Sequence, residues 1–89
     1  MEAICGGWNV HETISEEDKK VLETALAGLI GVTYDPIAVA TQIVNGENYL
    51  FIAKSTASTL PPKIGLAKIY VSATPAGSTP TLVNLETII

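Results

Sequence analysis

The stretch Ile37-Ala38-Val39-Ala40-Thr41-Gln42-Ile43-Val44-Asn45-Gly46-Glu47-Asn48-Tyr49-Leu50-Phe51-Ile52-Ala53 decides the fold. Two apolar runs, Ile37–Val44 and Tyr49–Lys54, flank an Asn-Gly pair. Asn and Gly accept the positive φ of a primed turn, so the pattern predicts a β-hairpin with its tip at Asn45-Gly46. Hairpin tips are ordinarily polar, yet Ile43 and Val44 stand beside this one. A contact surface at the tip, held in place by the rest of the chain, accounts for them.

Alternation puts Ile37, Val39, Thr41 and Ile43 on one face of the first strand and Ala38, Ala40, Gln42 and Val44 on the other. The small Ala38 and Ala40 predict that a helix lies close against their face. Downstream, Ser55–Thr59 followed by Pro61-Pro62 reads as a polar, proline-ended connection. Ile64–Ser72 reads as a strand with Leu66 and Tyr70 opposed to Ala67, Ile69 and Val71, Thr74–Ser78 as a second turn, and Leu82–Ile89 as the last strand.

Upstream lies a helix. Ser15 and Asp18 form an approximate capping box, and Glu16, Glu17 and Asp18 put negative charge in the first turn, where the helix dipole favours it. Val21, Leu22, Ala25, Leu26, Leu29 and Ile30 recur at helical spacing as one apolar stripe. Glu16 and Lys20 are four apart, Gly31 is a natural C′ residue, and the charged face reads as solvated surface. Residues 1–14 read as an extended arm with a joint at Gly6-Gly7; Trp8, Val10 and His11 start a strand, and Trp8 anchors or lids the core. His11, a lone histidine among polar neighbours, is given no catalytic or metal role.

The order β-α-β-β-β-β, with hairpin-length links after the helix, predicts an α+β fold: one α-helix packed across a four- to five-stranded antiparallel sheet, in a single domain over residues 1–89. In a meander the first and third turns share an end. The arm, the Asn45-Gly46 tip and the tip at Pro75-Ala76-Gly77 are therefore expected to meet.

A formal net charge of −4 and a pI near 4.7 argue against nucleic acid as a partner, since such partners select basic surfaces. No apolar run approaches the ~18–20 residues that span a bilayer, so no membrane partner is expected. Met1-Glu2-Ala3-Ile4-Cys5 has neither the basic nor the long apolar region of a signal peptide, and the one cysteine allows no internal disulfide, so the cytoplasm is the expected compartment. The sequence holds no CxxC, no HExxH, no Gly-rich phosphate loop and no Cys-His-Asp grouping; neither an enzyme nor a cofactor is expected.

Three segments carry a resemblance. Gln42-Ile43-Val44-Asn45-Gly46 matches the Gln-x-Val-x-Gly signature of the cystatins, preceded by Thr41 and followed by Asn48-Tyr49 as in the disulfide-free stefins (type 1). Ile4-Cys5-Gly6-Gly7 is similar to the family's N-terminal segment of apolar residues before glycine. Thr74-Pro75-Ala76-Gly77 loosely resembles its second loop, although Ala76 stands where secreted cystatins carry Trp. The resemblance implies a cystatin-like fold and reversible inhibition of papain-like cysteine proteases (cathepsin L, B or H-like). Ile4 and Cys5 would fill non-primed subsites, Gly6 would turn the chain from the nucleophile, and Gly7 would act as a hinge. Ile43 and Val44 would give apolar contact, Gln42 would brace the loop, and Gly46 would permit its bend at the variable Asn45. Thr74, Pro75, Ala76 and Gly77 would form the third edge. The alternative is a cystatin-fold interaction or structural protein whose loops no longer inhibit. A monomer is expected, with a domain-swapped dimer reached by opening the first hairpin.

Overall fold

The structure is a computed structural model, and residues 7–89 are described. The elements are β1 (Trp8–Val10), α1 (Glu16–Ala25), β2 (Val32–Val44), β3 (Gly46–Ala57), β4 (Lys63–Ala73) and β5 (Thr81–Thr87). The five strands form one antiparallel sheet in the order β1-β2-β3-β4-β5, and α1 packs across one face of it. This is an α+β arrangement with five strands. Strands of 13, 12 and 11 residues make the body long, 44 × 26 × 21 Å, so the turns lie at the ends of a long axis.

The core is the sheet face beneath the helix. Cross-strand partners share a face, and the rows Val39–Phe51–Ile69–Leu85, Thr41–Tyr49–Val71–Leu82 and Pro36–Ala53–Ala67 all lie on this one. Phe51, Ala53 and Ile69 are fully buried, Leu22 reaches them from α1, and the Tyr49 and Phe51 rings stack at 5.9 Å. A register shift between Tyr70 and Val71 lets both Leu82 and Leu85 turn toward this core while Val83 faces out.

The helix therefore covers the Val39–Thr41 face and not the Ala38–Ala40 face. A register shift between Pro36 and Ala38 bulges out Ile37, 56% exposed, so that it leaves the row of Val39 and Thr41, while alternation holds from Ala38 to Val44. Ala38 lies on the uncovered face with Ala40, Leu50, Ile52 and Tyr70. Trp8 pairs with Gln42 on that same face and is 41% exposed, so it is neither a core anchor nor a lid on the core.

The helix starts as expected. Asp18 N donates to Ser15 Oγ at 3.0 Å and Ser15 N donates to Asp18 Oδ2 at 3.1 Å, completing the capping box. It ends earlier than the apolar stripe suggests, at Ala25 with Leu26 as C-cap. Gly28 takes φ 94° and Gly31 φ 91°, which carries Leu29 and Ile30 off the helix into solvent. The ion pair on the helix surface is Lys19 with Glu16, not Lys20 with Glu16. The expected connection at Ser55–Thr59 is partly strand, because β3 continues to Ala57. At the other end β5 stops at Thr87, and Leu66 N donates to Ile89 O at 2.8 Å.

Candidate protein-binding edge

At the first tip the register runs Gln42–Asn48, Ile43–Glu47, Val44–Gly46, leaving Asn45 alone at the turn. No described non-glycine residue has positive φ, so Asn45 does not enter the primed turn that its Asn-Gly sequence suggests. Gly46 alone takes the left-handed region, at φ 119°. Asn48 Nδ2 donates to Gln42 Oε1 at 2.9 Å, a brace across the hairpin just below the tip. Ile43 and Val44 are 47% and 38% exposed. Apolar side chains left in water at a hairpin tip are available to a partner.

The second tip follows β4. Its Thr74–Pro75 bond is cis, Ser78 N donates to Pro75 O at 3.0 Å, and Gly77 takes φ 86°. Thr74, Pro75, Ala76 and Gly77 are all exposed. The two tips touch through backbone. A Cβ added at Gly46 would strike Ala73 O and meet Thr74 Cα and Ala76 N, each at 3.0 Å. Glycine at 46 thus serves both its own φ and the second loop's approach.

The arm joins them at the edge of the sheet. Trp8 pairs with Gln42, and Gly7 lies one residue beyond that pair, toward the first tip. Gly7, Gln42–Gly46 and Thr74–Gly77 therefore share one end of the sheet. Ile4, Cys5 and Gly6 lie outside the described residues.

The surroundings of this edge are acidic. A groove of about 650 Å³ beside it is lined by Glu12, Glu17, Asp18, Glu47 and Tyr49, among others. Tyr49 OH donates to Glu47 Oε1 at 3.4 Å. Burial, then the charge of Glu47 and this hydrogen bond, then the charges of Asp18 and Glu17, push the Tyr49 phenol up to about 12. Among the described residues no cluster of three or more His, Cys, Asp or Glu is placed to hold a metal ion, and no helix is long and apolar enough to cross a membrane.

One constellation escaped the sequence reading. His11 faces a buried carboxylate: Asp18, 7% exposed, accepts from the His11 ring at 3.3 Å, and His11 Nε2 lies 2.9 Å from Thr41 Oγ1. Asp18 is thus no part of a solvated helix face. The capping position of Asp18 was legible; its burial depends on how α1 is set over Thr41, which no local pattern encodes.

Compared with protein-family models, with curated proteins and with solved structures, the chain finds no match.

Proposed function

We propose that this chain is a reversible, tight-binding inhibitor of papain-like (C1) cysteine proteases, with a cystatin-like fold whose N-terminal arm and two hairpin loops enter the active-site cleft. The observation that carries the reading is the backbone packing of Gly46 on Ala73–Ala76, which joins two hairpin tips into one continuous edge. The meander of five strands with the helix inserted between its first two supports the fold assignment. The Gln42–Gly46 signature supports the target class.

The physics of inhibition suits this edge. A protease cleft is a groove with apolar subsites beside a thiolate–imidazolium pair, and an inhibitor must fill it without offering a scissile carbonyl to the nucleophile. Exposed Ile43 and Val44 supply apolar surface there, and the Gln42–Asn48 brace keeps their loop in shape. A preformed edge loses little conformational entropy on docking. The contacts are apolar and backbone-mediated, so affinity varies little with salt. The cytoplasm is the compartment we assign to this activity, on the strength of the single cysteine.

The test is titration of papain or a cathepsin L-like enzyme with the full chain. Inhibition is expected below micromolar protein, the level at which binding is worth about 8 kcal/mol. Full protease activity at micromolar protein would sink the proposal and leave a non-inhibitory interaction protein on the same fold.

A further inference from the structure

We infer that His11 is the positioning residue that holds the N-terminal strand, and with it Gly7 and Trp8, in register beside the two hairpin tips. Its consequence for inhibition rests on the reading above; its consequence for the arm does not.

Among the described residues the strand pairing of β1 is short. The strand is three residues long, at the edge of the sheet, and paired with β2 only from Trp8 to Val10. Trp8 and Val10 are 41% and 67% exposed, so burial of their side chains adds little. A short edge strand of this kind is marginal by itself. At His11 the situation changes. Its N–H donates to Val39 O at 3.0 Å, and its ring then bridges two elements already fixed by the core. Nδ1 lies 3.3 Å from Asp18 Oδ2 on α1, and Nε2 lies 2.9 Å from Thr41 Oγ1 on β2. Asp18 is pinned by the capping box, and both it and Thr41 are buried, at 7% and 5% exposure. Loss of the ring would leave two buried polar groups short of a partner, and that cost is what keeps the arm down.

The clamp works in either protonation state. A carboxylate oxygen only accepts, so Nδ1 carries a proton in both. In the neutral ring Nε2 accepts from the Thr41 hydroxyl; in the charged ring it donates to the same oxygen, and the hydroxyl rotates to suit. The titratable groups around the ring are Asp18 and Glu17 on α1, Glu47 and Tyr49 on β3, and the adjacent Glu12.

The experiment compares the full chain with His11→Ala, His11→Gln and Thr41→Val by amide hydrogen exchange, and by titration against papain. His11→Ala should speed exchange at Trp8–Val10 by about tenfold while β3 and β4 keep parental protection. His11→Gln offers one donor and one acceptor and should restore most of the protection. Thr41→Val removes one of the two ring contacts and should give a smaller loss at the same amides. Papain inhibition by His11→Ala should weaken about tenfold, through faster dissociation. Parental exchange at Trp8–Val10 in His11→Ala, or equal loss of protection across all strands, overturns the inference. If the parent does not inhibit papain, the inhibitor reading fails, and the exchange data still decide the role of His11.

Discussion

Gly46 lies with its α-carbon against the carbonyl oxygen of Ala73, so that the first hairpin tip and the start of the second loop pack backbone to backbone. Two strand ends that carry different loops are locked together by the absence of one methyl group. Gly46→Ala tests this directly. The new Cβ would meet Ala73 O, Thr74 Cα and Ala76 N, and the φ of 119° is strained for any L side chain. A cost of about 1–3 kcal/mol is expected from the backbone conformation alone, read from the denaturation midpoint. Gly77→Ala is the control: its φ is 86° but nothing lies within 4 Å, so only the conformational part remains. If both variants lose the same stability, the backbone contact at Gly46 contributes nothing.

Val44 separates stability from recognition. It is 38% exposed and sits at the tip, so Val44→Asp should change stability by no more than about 0.5 kcal/mol. Docked in a protease cleft, the same carboxylate would be buried without a partner, and inhibition should fall by orders of magnitude. Unchanged inhibition by Val44→Asp is incompatible with this loop entering a cleft. Deletion of residues 1–6 belongs to the same series: the fold should survive, because the core described above is built from α1, β2, β3 and β4, while inhibition weakens.

Much of this architecture is legible in local pattern, and the failures have identifiable causes. The capping box at Ser15 and Asp18, the outward Tyr70 against inward Ile69 and Val71, and the order of elements all rest on short-range spacing. Small size at Ala38 and Ala40 does not decide which face the helix covers: alternation holds from Ala38 to Val44 and the helix packs over Val39, while the bulge at Ile37, which has no sequence signature of its own here, only takes Ile37 out of that row. The stripe through Leu29 and Ile30 has helical spacing, but Gly28 at φ 94° ends the helix before they can use it. Trp8 is large and apolar, yet strand parity places it opposite Gln42 on the uncovered face; size alone does not say which face a residue takes. At the edge, Gln42, Ile43 and Val44 were legible as an unusual turn. The contact of Gly46 with Ala73 was not, because it joins residues far apart in sequence.

Tyr49 makes the fold sensitive to alkali. Its folded pKa of about 12 lies above the unfolded value of 10.0, so the folded state holds the phenolic proton more tightly. The stabilisation is complete below pH 10 and is lost as pH rises toward 12. Tyr49→Phe removes the ionisable hydroxyl. The difference between parent and variant in phenolate absorbance should show one tyrosine titrating late, and the parent should lose stability faster than the variant over that interval. Identical alkaline unfolding of the two would show that Tyr49 ionisation does not drive it.

The same tip that carries the apolar edge is the point where the chain can exchange with a second copy. β2 and β3 are 13 and 12 residues long and are joined through Asn45 alone. A turn this short has little slack, and straightening it converts the two strands into one continuous strand. The segment before the tip, β1, α1 and β2, would then pack on the β3–β5 sheet of another molecule. Each contact of the closed form is remade between chains, so the swapped dimer differs from two monomers mainly at residues 44–46 and in the entropy of association. Mild heating toward the unfolding midpoint, followed by cooling at high protein concentration, should therefore yield a dimer on size exclusion. Insertion of two glycines after Asn45 should suppress it, because a longer loop relieves the turn and favours closure within one chain. Glu47 and Asn48 stand opposite Ile43 and Gln42, so the insertion leaves the register below the tip intact. Only monomer from the heated parent, or as much dimer from the glycine variant as from the parent, would rule out exchange through this hairpin.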